Sequence, residues 1–280
     1  MAVALLTVFI ACQRPDSLGR SLSQWDCKEI AREVEKSGLV KSISHKTVYR
    51  ILKNDKLKPW QNHMWINPRV PRDEALYKKI KKIEKFYLGK VKDDEIRLSL
   101  DEKTSIQPRK REYPTKPAMP GIPNLVEHEY ERMGALHLFT AFNINNGEVY
   151  GICYENKRQI ELIDFLEFLD DDIPDNIKQI KIALDNSSIH KGSKTQKWID
   201  EHPWFEFEYT PAHCSWINQV EQWFSILQRK RLRISDYDSL DDLEDKIIQF
   251  IDEWNENPHP FNWTKNSFDK IYKKCKNNIT

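Results

Sequence analysis

The stretch KIALDNSSIHKGSK, residues 181–194, begins as an apolar strand and then enters a polar turn that opens with an acid, Asp185. The segment IRLSLD, residues 96–101, follows the same pattern as residues 180–185, I-x-[LI]-x-L-D, and ends at Asp101. Successive side chains of a strand point to opposite faces, so both aspartates leave the apolar face. We therefore predict that Asp101 and Asp185 each end a strand and that, if the strands are neighbours, the carboxylates meet at one edge of the sheet.

Two adjacent carboxylates repel each other, and a bound cation relieves the repulsion. Mg²⁺ suits such a site because it prefers carboxylate oxygens and keeps positions for water or phosphate. A third ligand is offered by SWINQVEQWFSILQRKR, residues 215–231, a predicted helix in which Glu221 lies at the margin of an apolar stripe. The stripe consists of Ile217, Val220, Phe224 and Leu227. The alternative is that Glu221 only reaches solvent or pairs with an arginine.

These motifs resemble the DDE transposases of bacterial insertion sequences in the mariner superfamily. The three acids stand in LSLDEKT, ALDNSSIHK and SWINQVEQWFSIL, with 35 residues between the second and third acids. The DN-x-x-x-H and N-x-x-E blocks add Asn186, His190 and Asn218, and ENPHPFNW, residues 256–263, is also similar. The resemblance covers about residues 20–265. It implies an α/β fold in which an RNase H-like mixed sheet flanked by helices follows a small all-α helix-turn-helix domain.

The resemblance also implies a function. Asp101, Asp185 and Glu221 would bind two divalent ions, Mg²⁺ or Mn²⁺, which assist in-line displacement at phosphorus. Water would nick each transposon end, and the freed 3′-OH would attack target DNA. The partners would be double-stranded DNA, at terminal repeats and target, and a second copy in a homodimer. His190 would either contact substrate phosphate or order the loop after Asp185, and Asn218 would either orient Glu221 or cap the helix.

The first 90 residues are basic. They hold 19 Lys/Arg against 9 Asp/Glu, a net charge of +10, whereas residues 91–280 hold 25 against 34, a net charge of −9. This asymmetry favours a DNA-binding module joined to an acidic body, although two ordinary solvated surfaces would give the same count. Residues 25–37 predict one amphipathic helix, and SISHKTVYRILKN predicts a second one capped by Ser44, with Val48, Ile51 and Leu52 inward.

The second helix carries an outward polar face that suits the major groove. The face consists of His45, Lys46, Tyr49, Arg50 and Lys53. A helix-turn-helix fits this arrangement, and a plain αα-hairpin is the alternative. Two further basic clusters flank the acids, and each is interpreted as binding phosphate or as a solvated face. They are Arg109, Lys110 and Arg111, and then Arg229, Lys230, Arg231 and Arg233.

The predicted domains are a winged helix-turn-helix domain, N-terminally truncated, at residues 1–58, a linker and basic helix at 59–92, and the catalytic domain at 93–280. Residues 54–73 are assigned to wing and linker, and 73–88 to the basic helix. In the catalytic domain we expect strands at 96–103, 136–144, 148–154 and 205–210, besides the strand that ends at Asp185. Helices are expected at 157–170, 216–231 and 239–256, and an exposed loop at 107–114.

Five scattered cysteines without a CxxC pair argue against a disulfide framework or a zinc ribbon and fit a reducing cytoplasm. The resemblance to DNA transposases implies that the protein associates with the nucleoid. The opening MAVALLTVFIAC is too short to span a bilayer, so no membrane partner is expected. It is either a helix buried on the neighbouring module or the end of a longer domain. Family members commonly carry a further helix-turn-helix upstream, so recognition of the ends would here be either incomplete or completed by the product of a separate upstream reading frame.

Two other functions use the same features. A DNA-binding regulator would keep the RNase H-like body only as a scaffold, and its acids would be dispensable. A repair or junction nuclease would use the same metal chemistry without recognising a fixed sequence. A nucleotide-driven enzyme is disfavoured, because the chain has 8 glycines and neither a P-loop nor a G-x-G-x-x-G motif.

Overall fold

The structure of the protein is a computed structural model, and it describes residues 2–58, 74–211, 214 and 217–276. The chain divides into two compact units, Met1–Asn67 and Pro68–Thr280. From residue 59 onward the predicted wing and linker lie outside the described residues. None of the described helices has the length and apolarity needed to cross a membrane.

The first unit contains three helices, α1 (Ala2–Cys12), α2 (Cys27–Lys36) and α3 (His45–Asn54), packed around one small apolar core. Residues 2–12 thus form a helix that packs on α2 and α3, with Ile10 buried. The predicted cap of α3 is confirmed, since Ser44 Oγ accepts a hydrogen bond from Thr47 N at 3.1 Å. Helix α2 begins two residues later than predicted. The reason is Asp26, whose carboxylate accepts from Lys28 N and Glu29 N and so fixes the first turn.

The second unit begins with one helix and five successive strands, continues with helices and strands in turn, and ends with helices. The strands are β1 (Glu95–Ile106), β2 (Arg109–Arg111), β3 (Tyr130–Arg132), β4 (Leu136–Asn143), β5 (Val149–Tyr154), β6 (Gln179–Leu184) and β7 (Phe205–Tyr209). The helices are α4 (Glu74–Leu88), α5 (Gln159–Asp172), α6 (Ser193–Glu201), α7 (Val220–Leu227), α8 (Leu240–Asn255) and α9 (Lys265–Lys276). A π-helical segment, Gln228–Leu232, directly continues α7.

Five strands form one mixed sheet in the order β5-β4-β1-β6-β7. Strand β1 is antiparallel to β4 and parallel to β6, and β7 is parallel to β6. The pairing of β1 with β6 ends at Ser99 and Ala183. Asp101 and Asp185 each stand two residues beyond that pair, so the register places them level on neighbouring strands. The predicted convergence of the two aspartates therefore follows from the sheet itself.

One part of that prediction is wrong, because Asp101 does not end its strand. Strand β1 continues to Ile106, since β4 carries on pairing with it, through Asp101–Thr140 and Lys103–Leu138, after β6 has stopped. Only Asp185 follows the last residue of a strand. The sequence pattern shows where the apolar face of a strand ends. It does not show that a second neighbouring strand continues to pair beyond that point.

Helices cover both faces of the sheet. Leu98 and Leu100 of β1, with Ile182 of β6, pack into the core formed with α5 and α6. The opposite face packs on α7 and α8, where Trp223 and Ile247 are fully buried. Helix α4 belongs to the second unit and packs its apolar side near α9, with Ile80 and Ile83 buried. Ser99 and Asp101 therefore point toward the side of the sheet that carries α7.

Two other expectations need correction. Residues 109–111, expected in an exposed loop, form β2, which pairs with β3 about 20 residues later in the chain; a partner so distant leaves no local signal. The helix expected from residue 216 begins as α7 only at Val220. The cause is Asn218, whose side chain bonds to β1, while Val220 N donates to Ser99 Oγ at 3.0 Å. Helices α6 and α9 were not predicted from the sequence.

Candidate active site

Asp101 is the buried member of the site, with 8% of its surface exposed. Both of its carboxylate oxygens accept hydrogen bonds. Oδ1 accepts from Glu102 N at 2.8 Å, and Oδ2 accepts from Asn218 Nδ2 at 3.1 Å. The side chain is therefore held in one orientation on the face that carries α7.

Asn218 joins the start of α7 to the middle of β1. It is fully buried, its Nδ2 also donates to Leu100 O at 2.8 Å, and its Oδ1 accepts from Ser99 Oγ. The sequence left two alternatives for Asn218, orienting Glu221 or capping the helix. The side chain does neither, and instead orients Asp101. Ser99, which no sequence pattern indicated, completes the link because its Oγ also accepts from Val220 N.

Asp185 lies in the turn directly after β6, half-buried, and its Oδ1 accepts a hydrogen bond from Ser187 N at 2.8 Å. His190 Nδ1 lies 2.9 Å from the same Oδ1 and forms a hydrogen bond with the backbone oxygen of Asp185 at 3.1 Å. The hydrogen bond from His190 lowers the pKa of Asp185, so its anionic form is favoured. Asp185 is thus a carboxylate held ready to bind a cation.

His190 is completely buried between two acids. Its Nδ1 faces Asp185, and its Nε2 lies 2.7 Å from Glu102 Oε1. Burial disfavours the imidazolium, but the hydrogen bonds to Asp185 and Glu102 outweigh burial and raise the pKa of His190 to about 10. Of the two roles left open for His190, the contacts match the ordering of the loop after Asp185, since a buried ring does not meet substrate phosphate.

Glu221 stands in the first turn of α7, and its side chain is exposed. Helix α7 packs on β1 and β4, and all four residues of the predicted apolar stripe are buried. Burial and the negative charges of Glu102, Asp185 and Glu221 together raise the pKa of Asp101 to about 7. The effect of Asp185 and Glu221 on Asp101 shows that the three predicted acids share one electrostatic environment.

The donor set fits a hard divalent cation, since it consists of carboxylates on three different elements. In the part of the chain that the structure describes, no three His, Cys, Asp or Glu side chains already stand close enough to hold an ion. Both observations are compatible, because charges interact over longer distances than the roughly 2 Å of a metal–oxygen bond. Like charges also keep the carboxylates apart without a cation between them, and the exposed Glu221 is free to reorient.

Asn186 lies beside the acids but points elsewhere. Its side chain is exposed, its Nδ2 donates to Thr210 O, and its Oδ1 accepts from Lys191 Nζ. Tyr209 donates its hydroxyl to His190 O at 3.0 Å. These bonds tie the loop after β6 to the end of β7, so Asn186 serves the loop rather than the carboxylates.

The predicted groove face of α3 is exposed along its length. All five of its members are exposed, and they are His45, Lys46, Tyr49, Arg50 and Lys53. Val48 and Leu52 face the core, and Ile51 is partly buried. Lys53 Nζ lies 5.9 Å from the centre of the Tyr49 ring, so these two side chains cover one another. The face is thus basic and carries one aromatic ring, and its positive charge is the property that favours contact with a phosphate backbone.

The two basic clusters near the acids are only partly available to a ligand. Arg111 has a side chain that is 7% exposed, and it donates to Asp236 and to the carbonyls of Glu127 and Ser235. Arg231 donates to Ser235 Oγ at 2.7 Å and stacks on Tyr237. These two arginines join the β2–β3 hairpin and the π-helical segment to the chain before α8.

The other members of these clusters are exposed. Arg109 lies over the Tyr130 ring, and Lys110 pairs with Asp238 at 3.2 Å in an exposed ion pair of small energy. Arg229, Lys230 and Arg233 are exposed on and after the π-helical segment. The phosphate-binding prediction therefore rests on Arg109, Arg229, Lys230 and Arg233 rather than on every member.

Sequence reasoning missed Glu102 and Lys157. Glu102 follows Asp101 in β1, so it points to the opposite face, where its carboxylate is fully buried. Lys157, in the loop before α5, places its Nζ 3.0 Å from Glu102 Oε2. A signal was present, because an acid at the third position of LDEK is unusual on a face otherwise filled by Leu98 and Leu100. No local pattern could have named His190 as its partner.

Known proteins resemble this chain in sequence and in fold. Residues 97–244 match the family described as DDE superfamily endonuclease. The insertion element IS630 uncharacterized 39 kDa protein of Shigella sonnei is 27% identical over 179 residues, which are 64% of this chain and 48% of that protein. The chain thus spans about half the length of that curated relative.

Two solved structures share the architecture. The Mos1 strand transfer complex gives a TM-score of 0.55 at 12% identity, over 91% of this chain and 70% of that chain. The Mos1 mariner paired end complex with Mg gives 0.51 at 12% identity, over 98% and 76%. At such identities the likeness shows the fold alone, and it confirms the RNase H-like sheet predicted from the sequence. With more than half of its length matched by the family model, including the strands and the helix that carry all three acids, the chain belongs to the DDE superfamily of endonucleases.

Proposed function

We propose that the protein is a transposase that cleaves and joins DNA strands at the terminal inverted repeats of an insertion sequence. The observation that carries the proposal is the set of three carboxylates, Asp101, Asp185 and Glu221, in the second unit of a DDE superfamily endonuclease. The curated relative is a product of an insertion element, and one of the similar Mos1 structures is a transposase paired-end complex with a transposon end. Both relations support DNA as the substrate.

The three carboxylates would hold two divalent ions, Mg²⁺ or Mn²⁺. The Mos1 mariner paired end complex with Mg supports this choice. When bound, the ions activate the attacking oxygen and stabilise the leaving one during in-line displacement. This accounts for a site with three acids and without a nucleophilic side chain among them.

The chain contributes two fixed carboxylates and one adjustable one. Asn218 and Glu102 N hold Asp101, while His190 and Ser187 N hold Asp185. Glu221 is exposed and sits on a helix that packs directly on β1, so it can turn toward the other two. Two pre-oriented ligands reduce the ordering needed at the moment of binding.

The reaction would proceed in two steps, hydrolysis at the transposon end and then transfer of the freed strand end to target DNA. Water attacks phosphorus at the transposon end, the P–O3′ bond breaks, and a 3′-OH and a 5′-phosphate result. The freed 3′-OH then attacks a target phosphodiester, forming a new P–O3′ bond and releasing the target 3′-OH. The same carboxylates serve both steps, because only the nucleophile differs.

The first unit would recognise the ends. The exposed basic face of α3 fits the major groove, and Arg109, Arg229 and Lys230 would contact backbone phosphate near the acids. The protein would act as a homodimer on two ends, in the cytoplasm at the nucleoid.

The test is cleavage of a duplex that contains the DNA flanking the gene, with an unrelated duplex of equal length beside it. We expect strand-specific nicking at the flanking DNA in Mg²⁺ or Mn²⁺, and none in EDTA. Glu221→Gln should lower the rate by orders of magnitude without unfolding the protein, because its side chain is exposed. Equal cutting of both duplexes would favour a repair or junction nuclease, and binding without any cutting would favour a regulator.

A further inference from the structure

Glu102 is a buried acid, and the stability of the fold does not by itself explain why an acid stands at this position. It neighbours Asp101 in β1 but projects from the other face of the sheet, and its side chain is 0% exposed. A carboxylate that is removed from water costs free energy unless it is paired and hydrogen-bonded. Its partners therefore indicate what it does.

Those partners form a continuous row of contacting side chains that ends at the active site. Lys157 Nζ lies 3.0 Å from Glu102 Oε2, and His190 Nε2 lies 2.7 Å from Glu102 Oε1. The other ring nitrogen, His190 Nδ1, lies 2.9 Å from Asp185 Oδ1. This row of four side chains thus connects the loop before α5, the middle of β1 and the turn after β6.

This row of side chains determines which carboxylate oxygen of Asp185 is available to a cation. Oδ1 accepts a hydrogen bond from Ser187 N and lies 2.9 Å from His190 Nδ1, so protein groups already occupy this side of the carboxylate. Within the described residues no hydrogen bond is formed to Oδ2. Because His190 Nδ1 faces only acceptors and Nε2 faces a carboxylate, Glu102 fixes the rotation of the ring and hence the side of Asp185 that the ring can occupy.

A second buried acid on the same strand shows what a purely structural role looks like. Glu95 has a side chain that is 2% exposed and pairs with Arg97 and Lys181. In the described part of the chain, neither partner forms an ion pair with an acid of the active site. Glu102 differs because its partner His190 touches Asp185 directly.

We propose that Glu102 is a positioning residue that acts through His190 to turn Asp185 Oδ2 toward the divalent cation. This inference rests on the proposed metal-dependent function. It predicts that Glu102 sets the affinity for the cation, whereas the residue itself touches neither cation nor DNA. Substitutions of groups that orient metal ligands typically cost about 10- to 100-fold in metal affinity or activity.

The test is Mn²⁺ binding by the full chain without DNA, followed by the electron paramagnetic resonance signal of free Mn²⁺. Glu102→Gln keeps the shape, but its single acceptor oxygen cannot serve both His190 and Lys157. We expect Mn²⁺ affinity to fall about 10- to 100-fold. The Mn²⁺ concentration that half-activates DNA cleavage should rise by the same factor, and saturating Mn²⁺ should restore most of the cleavage rate.

Two further variants separate positioning from stability. Glu95→Gln, the matched control on β1, should lower the melting temperature without changing Mn²⁺ affinity. Lys157→Met, at a partly exposed side chain, should weaken Mn²⁺ binding in the same direction by a smaller factor and remain folded if Glu102→Gln does not.

Each outcome has a separate meaning. Unchanged Mn²⁺ affinity in Glu102→Gln and Lys157→Met would overturn the inference even if the parent protein cuts DNA. A loss of cleavage that saturating Mn²⁺ fails to restore, with affinity unchanged, would reduce Glu102 to a structural role. A parent protein that binds no Mn²⁺ would instead contradict the proposed function itself.

Discussion

At the residue scale, Asp101 is a buried carboxylate in unfavourable electrostatic surroundings. It is buried beside Glu102 and near two further acids, and its pKa rises to about 7 in the protein without metal. Its two hydrogen bonds, from Asn218 and from Glu102 N, only partly compensate. The ionised form of such a buried carboxylate destabilises the folded state, and a bound cation removes this cost in free energy.

The raised pKa of Asp101 predicts a pH-dependent cost in stability. Between its unfolded value of 3.8 and about 7 the folded state holds the extra proton, so the free energy of unfolding contributed by Asp101 falls as pH rises through this window. Asp101→Asn removes this titration. Relative to the parent in EDTA, the variant should gain up to about 2 to 3 kcal/mol in the free energy of unfolding from pH 5 to pH 8.

Urea denaturation at the two pH values checks this expectation. Asp252→Asn, at an exposed aspartate of α8, is the control and should show no comparable change. A difference between Asp101→Asn and the parent that stays constant from pH 5 to pH 8 would show that Asp101 is not held protonated by its surroundings.

The residues of the site were predictable to different degrees. Asp101, Asp185 and Glu221 stood out because strand alternation and helical spacing place them on definite faces. The partners that orient them did not. Asn218 bonds to Ser99, 119 residues away in sequence, and His190 bonds to Glu102, 88 residues away. Such contacts depend on tertiary packing, which no local pattern encodes.

At the element scale, the π-helical segment Gln228–Leu232 presents basic residues of two kinds. Arg229 and Lys230 are exposed, whereas Arg231 is occupied by Ser235 and Tyr237. A segment that directly extends α7, the helix of Glu221, is well placed to hold the DNA backbone near the acids.

This difference predicts a specific pattern of salt dependence. Replacing Arg229 and Lys230 with Gln should flatten the log–log slope of DNA binding against salt concentration by about 0.9 for each phosphate that the protein no longer neutralises. Arg231→Gln is the internal control from the same turn and should leave the slope unchanged. Fluorescence anisotropy at several salt concentrations measures both. Equal slopes for the parent and the double variant would assign Arg229 and Lys230 to a solvated face.

Elements with a local sequence signal lie where they were predicted, whereas the bounds of elements defined by pairing with a distant segment were not predicted correctly. Helix α3 begins at its predicted cap because Ser44 and Thr47 are three residues apart. Strands β4 to β7 likewise lie where alternation placed them. Strand β2 was missed because its partner β3 lies beyond a long connection, and β1 was predicted too short because β4 extends it.

At the scale of the whole molecule, the charge distribution separates two tasks. Residues 1–67 hold 11 Lys/Arg against 6 Asp/Glu, a net charge of +5, whereas residues 68–280 hold 33 against 37, a net charge of −4. Under the proposed function, the unit with α3 would attract DNA and the acids of the second unit would attract cations. The basic face of α3 and the three acids thus lie in different compact units, because the chain divides between Asn67 and Pro68. Substitution of one acid should therefore affect cutting far more than binding.

Asp185→Asn tests this account most directly. The substitution keeps the size of the side chain but removes the charge that attracts a divalent cation. We predict that cleavage of the flanking-DNA duplex in Mg²⁺ falls by orders of magnitude, while affinity for the same duplex in Ca²⁺ or without metal stays within a few-fold of the parent. Circular dichroism confirms that the variant is folded. A folded Asp185→Asn protein that cuts the duplex at the parent's rate, and does so in EDTA, would contradict the three-carboxylate mechanism.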